Sequence, residues 1–80
     1  MKINELKRKL TDYTLNFSFI VNGKPSGITT YEVNNGVPTL TMWYGDKEKQ
    51  YHDPKNLLND SFFDGKSLAE LSTNLNIEIN

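Results

Sequence analysis

Cysteine is absent from this chain of 80 residues, which excludes a disulfide-stapled scaffold, a thiolate zinc module and a catalytic cysteine together. Histidine and tryptophan occur once each, as His52 and Trp43. His52 has Asp53 beside it and Asp46 and Glu48 in the preceding turn, from which a metal or acid–base site could be drawn; such sites normally converge two or more ligands, so an enzyme or metal protein centred on His52 ranks as the third reading. An excess of one charge is missing too. Lys and Arg total 9 against 10 for Asp and Glu, a net charge of -1, so the chain as a whole lacks the electrostatic footprint of a nonspecific nucleic-acid binder. No apolar run approaches the roughly 20 residues of a membrane span. Met1-Lys2-Ile3-Asn4-Glu5-Leu6 has no apolar stretch of the kind a secretory signal needs. The expected setting is the cytoplasm, away from membranes.

A chain of this length buries only about 60% of the surface its unfolded form exposes. Residues 1–80 therefore read as one small domain in which most apolar residues serve the core. Ile3, Leu6, Leu10 and Tyr13 recur at helical spacing, with Glu5, Lys7, Arg8 and Lys9 on the other faces, and predict a first helix over residues 3–13. From Leu15 the period changes to two: Leu15, Phe17, Phe19 and Val21 alternate with Asn16, Ser18, Ile20 and Asn22, as in a half-buried strand. Asn22-Gly23-Lys24-Pro25-Ser26-Gly27 stacks turn-forming residues and ends it.

Ile28 to Val33 and Val37 to Tyr44 flank Asn34-Asn35-Gly36 and read as a hairpin. With Val33 facing Val37, Tyr31 falls opposite Thr39, Thr29 opposite Thr41 and Ile28 opposite Met42. Ile28, Thr30, Leu40, Met42 and Tyr44 then share one face, and Thr29, Tyr31, Thr39, Thr41 and Trp43 the other. Pro38 cannot donate to a ladder and belongs at the strand's start or where that side is unpaired. Folding back across Gly45-Asp46-Lys47-Glu48 places Met42 opposite Tyr51, Trp43 opposite Gln50 and Thr41 opposite His52, giving a short fourth strand.

Asp53-Pro54 is a helix start, carboxylate at the cap and proline first inside, leading into Leu57 and Leu58. Ser67-Leu68-Ala69-Glu70 has the capping-box spacing, and Leu68, Leu71 and Leu75 supply a buried stripe for a C-terminal helix. Residues 76–80 alternate and are either a frayed end or a fifth, edge strand. The fold class expected is α+β: an N-terminal helix, a four-stranded antiparallel meander, then a short helix and a C-terminal helix packed on one face of the sheet.

Chemical motifs are few. Asp60, Asp64 and Gly65 match the first, fifth and sixth positions of a calcium loop, but Phe62 and Leu71 stand where the third and twelfth ligands belong, so no metal is expected. Neither a phosphate loop nor a nucleophile arrangement is present, so neither a cofactor nor catalysis is expected. What stands out is an aromatic, Thr-rich sheet face carrying Tyr31, Thr41, Trp43, Gln50 and His52: either the terminal segment or a helix covers it and Trp43 is core, or Trp and Tyr stand on an otherwise polar face, where they are the residues that anchor interfaces. These five are the candidate binding residues of a non-catalytic interaction or accessory module with a protein partner. The alternative is a nucleic-acid-binding accessory or regulatory protein. It would use the basic Lys7-Arg8-Lys9 run of the first helix, or Trp43 and Tyr31 as a stacking platform.

Overall fold

The computed structural model describes residues 2–12, 15–31 and 39–79, with only the backbone described for Tyr31. Tyr13, Val33, Val37, Pro38 and the Asn34-Asn35-Gly36 loop lie outside these residues. The elements run α1 (Ile3–Lys9), β1 (Asn16–Val21), β2 (Lys24–Tyr31), β3 (Thr39–Tyr44), β4 (Lys47–Tyr51), α2 (Pro54–Asn59), α3 (Leu68–Leu71), a 3-10 turn (Ser72–Asn74) and β5 (Glu78–Ile79). The fold is α+β with an antiparallel sheet of five strands in the order β4-β3-β2-β1-β5. The count of four is thus corrected to five: residues 78–79 pair with β1, Phe17 opposite Ile79 and Ser18 opposite Glu78.

Alternation sets the core. Phe17, Phe19 and Val21 from β1, Ile28 from β2, Leu40, Met42 and Tyr44 from β3, and Tyr51 from β4 are buried in one cluster with Leu6, Leu10, Leu57, Leu58, Phe63 and Leu68. The helices thereby cover the sheet face that these strand positions define. Helix α1 is shorter than its apolar spacing suggests: it ends at Lys9 with Leu10 as its cap, and Leu6 and Leu10 are the anchors. The C-terminal helix also falls short, turning 3-10 at Ser72 before Leu75. Both N-cap side chains bond as expected, and of the capping box the Ser67 arm forms. Asp53 accepts from the Lys55 amide at 3.1 Å and Ser67 Oγ from the Glu70 amide at 3.2 Å, each satisfying an amide that the first helical turn leaves orphaned.

Two turns are tighter than the sequence suggests. Asn22 and Gly23 both have positive φ, 51° and 77°, the requirement of a two-residue hairpin whose twist matches its strands. β2 therefore starts at Lys24 rather than Ile28 and takes Pro25 inside a strand, opposite Ile20. Pro25 is tolerated because it lies just beyond the last β2–β3 pair, Ser26–Tyr44, opposite the turn, where its carbonyl still accepts from the Gly45 amide at 2.8 Å. Its missing N–H lies on that same side. The turn after β3 is also two residues, Gly45-Asp46, with Gly45 at φ 61°. Leu40 consequently faces Tyr51, Thr41 faces Gln50, Met42 faces Lys49 and Trp43 faces Glu48. The expected pairs Met42–Tyr51, Trp43–Gln50 and Thr41–His52 are each displaced by two positions. A displacement of two preserves which face each residue occupies. The β2–β3 register is as expected, with Ile28 opposite Met42, Thr29 opposite Thr41 and Tyr31 opposite Thr39.

The segment after α2 is tied down by a repeated device. Tyr44 Oη donates to Asp64 at 2.7 Å and accepts from Asn22 Nδ2 at 3.0 Å, while Tyr51 Oη donates to Asp60 at 2.6 Å beside Lys49 Nζ at 2.8 Å. Between these anchors Phe63 packs edge-on against Tyr44, ring centroids 5.2 Å apart. Asp60 and Asp64, the residues that mimic a calcium loop, thus hold the segment to β3 and β4.

Candidate functional site

The sheet face opposite the core is built by the other half of the alternation, and three features shape it. Gly27 on β2 faces Trp43 on β3. A Cβ built there would come closer than 3.0 Å to Cζ2 and Cη2 of the indole and to the Phe17 carbonyl oxygen, so the benzo ring of Trp43 lies directly on the glycine. Glycine is needed for this close approach. The seat leaves Trp43 half-buried, with one side of the ring on β2. Next to it Ile20 from β1 is 59% exposed, an unusual setting for a large β-branched side chain in a short domain, and Pro25 is its cross-strand partner. The third feature is the segment leading into β5, which runs along β1 and closes one side.

Together these form a cleft of about 390 Å³ whose walls include Ser18, Ile20, Pro25, Trp43, Leu75 and Glu78. Its size falls at the low end of ligand-binding clefts and suits two or three side chains. Apolar side chains and the polar Ser18, Asn74, Asn76 and Glu78 line it together, while Glu48 lies directly opposite Trp43 on the same face.

The candidate residues distribute unevenly over this face. Trp43 lines the cleft. Thr41 shares the face, two residues along the strand, but is only 6% exposed, and its buried Oγ1 has no hydrogen-bond partner among the described residues. Gln50 is exposed opposite Thr41 rather than Trp43. Tyr31 is the last residue of β2, paired by its backbone with Thr39. His52 lies one residue beyond the end of β4, which stops at Tyr51, and so falls outside the β3–β4 ladder instead of opposite Thr41. The structure therefore brings Trp43 together with Ile20, Pro25, Leu75 and Glu78, which sequence reasoning did not select. Ile20 alone carried a local signal, a large apolar residue on the polar side of an alternating strand.

Electrostatic perturbation lies elsewhere. The Lys49 and Tyr51 hydrogen bonds hold the Asp60 carboxyl below its ordinary range, and the Tyr44 hydrogen bond does the same for Asp64. Burial, then Asp60, pushes the Tyr51 phenol up. These shifts belong to the two tyrosine–aspartate ties that anchor the segment after α2. Among the described residues no group of three or more His, Asp or Glu could hold a metal, and no helix is long and apolar enough to cross a membrane. Lys7 and Arg8 are exposed on α1, away from the strand positions that build the cleft.

The chain has no match among protein families, curated proteins or solved structures. Its reading therefore rests on the geometry of this face.

Proposed function

We propose that this domain is a non-catalytic interaction module that docks a segment of a partner protein on the sheet face opposite its helices, with Trp43 at the centre. One observation carries the reading: a cleft lined by the half-buried Trp43 indole, exposed Ile20 and Pro25 lies on the side of the sheet that the core does not use. Large rigid aromatic area at the centre of a surface, rimmed by polar groups, is the arrangement from which interface hot spots are made. A ring already fixed on Gly27 loses little further freedom on binding, which favours affinity.

Selection from a displayed library of random short peptides on the immobilised domain tests this. Enriched peptides should bind the wild-type domain and lose at least roughly tenfold in affinity on Trp43→Ala, the effect of removing a modest hot spot. Recovery only of peptides indifferent to Trp43→Ala and Ile20→Ser would mean that this face is not the docking surface.

A further inference from the structure

The charges of the sheet are sorted by side. β4 reads Lys47-Glu48-Lys49-Gln50, and the period of two sends its lysines one way and Glu48 the other. Lys47 pairs across from Tyr44 and Lys49 from Met42, both core-side positions, and Lys24 pairs with Val21 on that side. These lysines are engaged there: Lys49 with Asp60 at 2.8 Å, Lys47 with Asp64 at 3.9 Å and Lys24 over the Tyr44 ring at 5.2 Å. The cleft side holds the opposite sign. Glu48 faces Trp43 directly and Glu78 lines the cleft. No lysine or arginine stands on this side of the strands among the described residues.

Resting on the proposed docking role of this face, we infer that the segment it takes is a basic, extended peptide of a partner protein, with an arginine or lysine over Trp43 and an apolar residue in the cleft. The indole is the best aromatic partner for a cation. A planar guanidinium stacked on its free side would also reach Glu48, whose Cβ lies within about 5.5 Å of that of Trp43 by the geometry of a cross-strand pair. In an extended peptide the side chains on one side recur every second residue, roughly 6.8 Å apart. A cation on the indole therefore sets its second neighbour over Ile20 and Pro25, with Glu78 in the cleft lining to receive a further charge. The same sign of field disfavours the phosphate backbone of a nucleic acid, so the aromatic surface is a poor stacking platform for RNA or DNA.

Three synthetic peptides of one length and pattern, valine alternating with arginine, with glutamine or with glutamate, distinguish the possibilities. Each is labelled and titrated into the full chain, with peptide anisotropy and Trp43 emission followed at low and high salt. The arginine peptide should bind roughly tenfold more tightly than the glutamine peptide at low salt, the glutamate peptide should bind weakest, and added salt should narrow the gap. Glu48→Gln with Glu78→Gln, two exposed positions, should reduce that preference to roughly twofold while leaving the unfolding midpoint in place. Equal binding of the glutamine and arginine peptides through Trp43 would overturn the inference and leave the docking surface standing. So would Trp43-dependent library peptides that carry no positive charge, or a single-stranded oligonucleotide that quenches Trp43 more strongly than the arginine peptide does. Absence of any Trp43-dependent binder from the library would instead remove the docking reading itself.

Discussion

Gly27→Ala tests the seat of the Trp43 indole, on which the shape of the cleft depends. Gly27 is flanked by Ser18 on β1 and Trp43 on β3, and an added methyl meets two indole carbons and the Phe17 carbonyl oxygen at under 3.0 Å. The indole can tilt away. The carbonyl belongs to the neighbouring strand's backbone and moves only if the β1–β2 ladder is disturbed. Forcing a methyl into a packed site costs about 1–3 kcal/mol, and a backbone obstacle places this case toward the upper end. Alanine also restricts the unfolded chain, which offsets about 0.4–1 kcal/mol, so the net loss expected is about 2 kcal/mol. With a urea slope of about 1 kcal/mol/M for a small domain, the midpoint should fall by about 2 M at unchanged slope. Trp43 emission should shift to the red in the folded state as the ring leaves its seat. Trp43→Ala removes the indole contacts but not the carbonyl, so in that background, followed by circular dichroism, Gly27→Ala should still destabilise, but by less. The difference between the two penalties is the coupling of the pair. An unchanged or raised midpoint for Gly27→Ala, or the same penalty in both backgrounds, would refute the seating.

Ser67→Ala should lower the denaturation midpoint by an amount equal to about 1 kcal/mol, since its Oγ caps the Glu70 amide; an unchanged midpoint would mean the cap contributes nothing. Thr41→Val should stabilise by about 1 kcal/mol, because it replaces a buried hydroxyl that lacks a partner among the described residues with a methyl of similar shape; a loss in thermal midpoint would show that the hydroxyl is bonded. Stability should also decline at both ends of the pH scale. Asp60 and Asp64 have carboxyl pKa values below the ordinary 3.8, so the folded chain binds fewer protons there than the unfolded one. Their contribution is complete above that value and is lost as the pH falls through the lowered folded values. Tyr51 is the reverse case: its phenol is raised above 10.0 by burial and by Asp60, so its contribution holds below pH 10.0 and is lost as the pH rises beyond it. Urea midpoints measured across pH should show both limbs, with Tyr51→Phe flattening the alkaline one and Asp60→Asn the acidic one.

Much of the fold was legible in local pattern. A period of two is a property of consecutive residues, so it assigned Phe17, Phe19, Ile28, Leu40, Met42 and Tyr44 to the buried side and Trp43 to the other, and a register error of two positions left those assignments intact. The caps at Asp53 and Ser67 were legible for the same reason, each needing only a side chain and an amide two or three residues away. Register across a turn is less local. It depends on how few residues the backbone needs to reverse, and positive φ at Asn22, Gly23 and Gly45 made two of the turns as short as hairpins allow. That brought Pro25 into a strand and set Gln50, not His52, opposite Thr41.

The cleft belonged to tertiary structure alone. Its walls come from β1, β2, β3 and the segment before β5, and Phe17 meets Ile79 across nearly the whole chain. A two-residue alternation at the C-terminus carries no information about which edge it will join. Closing so long a loop costs chain entropy that only the completed core can offset. Composition and periodicity by themselves determined an α+β fold whose sheet has two chemically distinct faces. Packing decided that the outer face would hold a hollow beside Trp43, because only the assembled sheet lays the indole on Gly27 and brings Leu75 and Glu78 beside Ile20.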